Sequence, residues 1–166
     1  MIFGLIPFSI YALIHVLLSV VGIIAGLVVV GGFMAGVRFG GWTATFLVTT
    51  GLTNLTSFGF PFRTLLPSHI VGGISLLILP VALTALYGKG LAGGWRRVFV
   101  LSSMTMLYFN VFVLIAQLFQ KVPALIVLAL TPQSPVLLVS ELLLLALFVV
   151  LGRAATSGFR NERPVV

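Results

Sequence analysis

Long apolar runs alternate along this chain with short clusters of glycine, proline and basic residues. Five runs are long enough to cross a bilayer as helices, which takes roughly 20 residues at about 1.5 Å each: 8–30, 42–58, 67–87, 97–119 and 135–152. Between them lie Gly31, Gly32, Gly36, Gly40 and Gly41, then Gly59 and Pro61, then Gly88, Gly90, Gly93 and Gly94, and last Pro123, Pro132 and Pro135. Such residues punctuate helices, and connections this short predict antiparallel neighbours. The stretch 123–130 is apolar but too short to span, so it is expected in the interface or as a shallow re-entry. The first run has neither a basic leading segment nor a small-residue cleavage site, which predicts a true helix and not a signal peptide. The expected organisation is a single transmembrane domain over 1–166, its fifth helix near 135–152, followed by a polar tail over 153–166.

Polar residues inside these runs fall on stripes. His15, Ser19, Gly22 and Gly26 share one helical face, and Gly22 with Gly26 forms a small-xxx-small pair that permits close backbone approach. Thr43, Thr50, Asn54 and Ser57 share a face of the second run, His69 and Gly73 one of the third, beside Gly72. Ser103, Met106, Asn110, Val113, Gln117 and Gln120 form a heptad-like seam on the fourth, and Glu141 enters about two turns into the fifth. Ionisable groups in hydrocarbon are costly and turn toward a partner or a cavity, so these seams predict a common interior.

The landmarks also repeat. His15 lies 27 residues before Trp42 and His69 lies 26 before Trp95; each tryptophan follows a glycine pair and precedes a phenylalanine by four residues, Phe46 and Phe99. This register predicts a duplicated helical hairpin, about 9–62 and 63–120, whose copies are related by a pseudo-twofold along the membrane normal. The expected fold is an all-α integral membrane protein: an up-down four-helix bundle from the duplicated hairpin, with a fifth helix beside it.

Composition narrows the class. Sixty per cent of residues are hydrophobic, 7% are charged, and Glu141 and Glu162 are the only acids, a balance unsuited to a water-facing globule. The net charge of +7 comes from bases that punctuate apolar runs without a polar recognition surface, which argues against nucleic acid. The absence of cysteine excludes disulfides, thiolate catalysis and iron–sulfur ligation. Arg38, Lys89, Arg96, Arg97, Arg153, Arg160 and Arg163 fall on one side, only Arg63 and Lys121 on the other. By the positive-inside bias the N-terminus is expected outside and the C-terminus in the cytoplasm, in a bacterial-type inner membrane. His15, His69, Asn54, Asn110, Gln117 and Glu141 then occupy the outer half.

Several chemistries are excluded. There is no glycosidase-type carboxylate pair, no G-x-S-x-G elbow, and Gly88-Lys89-Gly90 lacks the order of a phosphate loop. No catalytic or metal-binding residues are assigned. Two histidines on diagonal helices can ligate a b-type haem, with Gly22, Gly72 and Gly73 leaving room and Arg63 reaching a propionate; they can equally serve as interhelical hydrogen-bonding groups, or line a small-ligand pocket. The function expected is therefore a non-enzymatic accessory subunit or small-ligand-binding module. Its partners are the bilayer and either a larger membrane complex or further copies of itself. The alternatives are a bis-histidine electron carrier and a small-molecule or lipid transporter, the latter weakened by the lack of acids in the inner half.

Overall fold

A computed structural model describes residues 7–60, 67–128 and 134–159, together with the backbone of 163–165. The described chain is helical apart from one short strand pair and its turns: α1 (Phe8–Met34), β1 (Val37–Phe39), α2 (Gly40–Ser57), α3 (Pro67–Leu83), continued by a π-helical turn (Thr84–Gly88), α4 (Trp95–Lys121), the single turn α5 (Pro123–Ile126), α6 (Pro135–Gly158) and β2 (Arg163–Val165). Four stretches combine the length and apolarity needed to cross a membrane: Phe8–Met34, Ser68–Gly88, Trp95–Lys121 and Pro135–Gly158. The chain is thus a helical protein with membrane-spanning character. Helix α2 is 18 residues long but carries six threonines, Asn54 and Ser57, and it is not one of the four.

Helix ends follow local chemistry. The glycine pair Gly31-Gly32 does not stop α1. Gly32 is used for a close approach, since a Cβ there would lie 2.8 Å from the Val37 carbonyl oxygen and 3.0 Å from the Phe39 ring. The stop comes at Gly36, whose φ of +71° is left-handed and whose N–H donates to the Phe33 carbonyl. Helix α1 therefore extends four residues past the sequence expectation. Helix α2 starts at Gly40, two residues before Trp42, and α6 continues to Gly158 instead of ending near 152. At the other end of α4, Pro123 cannot continue the helix and forces Val122 into an extended conformation (φ −87°, ψ 116°).

Contacts between helices fix their directions. Down α1 and up α2, Tyr11 meets Gly59, His15 meets Thr56, Gly22 meets Thr49, Gly26 meets Phe46 and Gly32 meets Phe39, an antiparallel zipper along the whole hairpin. Gly51 meets Leu79 and Gly72 meets Ser57, so α2 and α3 are antiparallel as well. Phe33 meets Phe99 while Gly26 meets Leu107, making α4 antiparallel to α1. Helices α1 to α4 close a ring in which α1 and α3 run in one direction, and α6 packs outside it against α4 and α1. One end of the bundle carries His15 and His69, the other Trp42 and Trp95. The fully buried Phe33, Phe99 and Phe159 concentrate the apolar core at the tryptophan end. There β1 pairs in parallel with β2, Val37 opposite Arg163 and Phe39 opposite Val165.

The two hairpins differ in detail. Pro80 stands inside α3, which ends in the π-helical turn, and its loop holds Leu91 at φ +58° with the side chain 2% exposed. No such interruption occurs in α1.

Candidate functional site

Polar groups at the histidine end gather on the last turns of α2. On α1, Tyr11 and His15 lie one turn apart, so both face Thr56: the Tyr11 hydroxyl donates to the Thr56 carbonyl oxygen at 2.6 Å, and His15 Nδ1 lies 2.8 Å from Thr56 Oγ1. The Thr56 hydroxyl has one proton and sits 2.8 Å from the Leu52 carbonyl of its own helix. When that proton goes to the Leu52 carbonyl, the Nδ1–H tautomer of His15 completes the contact and leaves a lone pair on Nε2. Phe60 closes this clasp, its ring 5.9 Å from Phe8, 5.2 Å from Tyr11 and 5.1 Å from His15, all edge-on. Gly59 is required here because the Tyr11 hydroxyl occupies the space of a Cβ.

His69 sits on the other side of α2. The residue is 6% exposed and its ring is 5.9 Å from that of Phe58, while one turn on, a Cβ at Gly72 would lie 3.2 Å from Ser57 Oγ and 3.6 Å from Asn54 Oδ1. Ser57 donates to the Asn54 carbonyl at 2.6 Å. The two histidines thus flank the same helix end, one toward Thr56 and one toward Phe58. Deeper in the bundle, Asn110 Nδ2 donates to Thr50 Oγ1 at 3.2 Å, joining α4 to α2. Among the described residues the buried Thr43, Thr53, Ser75 and Ser103 hydroxyls and Asn54 Nδ2 have no hydrogen-bond partner.

The remaining sequence-selected residues divide by element. Ser19 is half-buried on α1 and Gly22 fully buried, with Thr49 Oγ1 3.0 Å from where a Cβ would stand; Gly26 is tighter still against Leu107 and Phe46. Gly73 faces Phe58 at a looser 3.8 Å, and Gln117 is half-buried toward the end of α4. Arg63 lies outside the described residues. Glu141 lies on α6, which packs against α4 and α1 from outside the four-helix ring. It shares a stripe of α6 with the buried Leu137, Leu144 and Phe148, and Phe148 meets Tyr108 of α4 edge-on with ring centres 5.6 Å apart. Both its carboxylate oxygens are buried without a partner among the described residues. No group of three or more potential metal ligands occurs among the described residues.

Sequence spacing missed Tyr11, Thr56 and Phe60. Tyr11 stands one turn before His15 and so was within reach of stripe reasoning, but Thr56 pairs with it only through the register of the hairpin, which no periodicity states.

Two expected outcomes follow from this geometry. His15→Ala and Tyr11→Phe each remove one bond to Thr56, and each should lower unfolding stability in detergent by about 1 kcal/mol, with the double variant losing more than the sum of the two because the Phe60 clasp opens. Additive losses would show the two side chains acting separately. Glu141→Leu, by contrast, replaces an unpartnered carboxyl in an apolar seam and should raise stability by about 1 kcal/mol. A fall in the melting temperature of that variant would reveal a polar partner for Glu141.

Compared with protein families, curated proteins and solved structures, the chain matches none.

Proposed function

We propose that this chain is a non-enzymatic subunit of a bacterial-type inner membrane, crossing it five times with the N-terminus outside and the tail in the cytoplasm. Helix α2 is the polar crossing. Its 18 residues extend about 27 Å, close to the hydrocarbon thickness of about 30 Å; Thr43, Thr49, Thr50 and Thr53 are buried against neighbouring helices, and Thr45 and Thr56 donate to carbonyls of their own helix. The recurrence of histidine and tryptophan landmarks, and the shared direction of α1 and α3, support descent of the two hairpins from one unit. The orientation rests on the bases, since Arg38, Lys89, Arg96, Arg97 and Arg153 all lie toward the tryptophan end and Lys121 at the other.

The observation that carries the subunit reading is the use made of the polar side chains. His15–Thr56 and Asn110–Thr50 tie helix to helix inside the bundle, whereas the outward face of α6 is a continuous aliphatic surface, with Leu142, Leu143 and Val150 each about two-thirds exposed. Interhelical bonds of this sort hold membrane helices in place, and such an outer face suits lipid, a larger subunit or a second copy of the chain. A second reading, haem ligation, is favoured by one feature: an imidazole that donates from Nδ1 presents the Nε2 lone pair a metal requires.

The absorption spectrum of protein purified from its native membrane separates the two readings. The subunit reading expects no haem band and stoichiometric migration with a larger assembly or as a homo-oligomer; reporters fused to the termini should place them on opposite sides. Sharp low-spin bands lost in both His15→Ala and His69→Ala would replace it with the electron carrier, and a cytoplasmic N-terminus would overturn the orientation.

A further inference from the structure

At the tryptophan end a cavity of about 310 Å³ opens between the first turns of α4 and the last turns of α6, lined by Gly93, Arg96, Arg97, Val100, Thr156 and Phe159. It lies at the opposite end of the bundle from the histidines. Its lining is graded: two guanidiniums and a hydroxyl on one hand, a valine and a phenylalanine ring on the other. Arg96 is held across the cavity wall, its Nη1 3.5 Å from the Phe159 carbonyl oxygen and its guanidinium 5.9 Å from the Phe159 ring centre. Arg97 is exposed.

We propose that this cavity binds the phosphodiester headgroup of an anionic phospholipid in the leaflet at the tryptophan end. Three observations point there. First, the cavity is at bilayer-boundary depth, because Trp95 opens α4 immediately beside it and α4 and α6 are both apolar spanning helices. Second, this end is basic: among the described residues Arg38, Lys89, Arg96, Arg97 and Arg153 lie toward it, while the described acid, Glu141, stands near the far end of α6. The anionic lipids of the inner membrane surface are attracted to such a basic end. Third, the lining matches a phosphodiester at the membrane boundary. Guanidiniums chelate phosphate oxygens through paired N–H donors, and basic pockets between membrane helices take lipid headgroups. Thr156 donates its own proton to the Gly152 carbonyl at 2.7 Å, and Val100 and Phe159 close the floor of the cavity, each 1% exposed. The volume suits a headgroup and not whole acyl chains, being at the lower end of ligand cavities, about 300–1,000 Å³. The chains would then lie along the exposed sides of α4 and α6.

The test uses the full chain purified in a maltoside detergent, with lipid adducts counted by native mass spectrometry during titration with phosphatidylglycerol or phosphatidylcholine. Wild-type protein should retain phosphatidylglycerol selectively, with binding about fivefold weaker for each guanidinium removed in Arg97→Gln and in Arg96→Gln/Arg97→Gln. Lys89→Gln/Arg153→Gln removes two charges outside the lining and should have less effect than the cavity pair. Equal losses in the two double variants would mean diffuse surface attraction and overturn the site, as would equal retention of phosphatidylcholine. Competition by inorganic phosphate distinguishes the sources: displacement of the lipid at millimolar phosphate would show a site for the free anion and overturn the lipid assignment. Arg97 is exposed, so its single variant decides the question even if the Arg96 change weakens the fold.

Discussion

Gly26→Val should be among the most destabilising single changes in the bundle, lowering unfolding stability by about 3 kcal/mol, the upper end of typical overpacking costs. A Cβ at this position would stand 2.6 Å from Leu107 Cδ1 and 2.9 Å from Phe46 Cε2. Those two side chains are each 1% exposed, so neither has free space to retreat into. They also come from different helices. Relief of one clash by moving α1 away from α2 presses it toward α4, and the helices must separate as a group. Gly31→Val is the matched control, because a Cβ at Gly31 meets nothing within 4 Å, and its effect should stay within about 0.5 kcal/mol. Denaturant titration of both variants in the same detergent measures the difference. Equal stabilities would show that the α1 glycine stripe is not a packing surface.

Positions such as Gly22 and Gly26 show where a single sequence is informative. A spacing of four in an apolar run places two small residues on one helix face, and hydrocarbon leaves interhelical contact as the reason to keep them small. Their partners are a different matter. That Gly26 meets Phe46 and Leu107, or His15 meets Thr56, depends on hairpin register and on which helices close the ring. Neither has a periodic signature. Helix ends were obscured for a local reason. Gly31 and Gly32 resemble a stop, yet Gly32 is consumed by the approach of β1 and the left-handed residue is Gly36. The π-helical turn after α3 and the left-handed Leu91 have no recognisable sequence mark, and Leu91 tolerates its backbone because its side chain is buried. The place of Glu141 also depends on packing order: α6 lies outside the four-helix ring, and Glu141 shares a stripe with the buried Leu144 and Phe148, the latter beside Tyr108 of α4. The basic cavity was equally hidden. Its arginines carry the orientation bias in the sequence, while the lining from Thr156 and Phe159 requires α6 to continue past the point where its aliphatic run ends.

That continuation is tested by the smallest substitution available. Gly158→Ala adds one methyl group where α6 crosses the end of α1, and a Cβ there would lie 2.5 Å from the Met34 carbonyl oxygen and 2.7 Å from that of Phe33. Both obstacles are backbone atoms, which have no rotamer to change, and the Phe33 carbonyl already accepts the Gly36 N–H that ends α1. The end of α6 must therefore lift. With it would go the Phe33–Phe159 ring contact, 4.7 Å between centres, and the Arg96 contact to the Phe159 carbonyl. The expected cost is about 2–3 kcal/mol. Its sign is diagnostic, because glycine to alanine within a helix ordinarily gains up to about 1 kcal/mol. Gly152→Ala, six residues earlier on the same helix with nothing within 4 Å of its Cβ, should show that ordinary gain. Thermal unfolding of the two variants should thus move in opposite directions from wild type. Phosphatidylglycerol retention should fall in Gly158→Ala and persist in Gly152→Ala, since only the former displaces the Phe159 wall of the cavity. If both alanines stabilise the protein, the close crossing of α6 over α1 is wrong, and the cavity loses the wall that defines it.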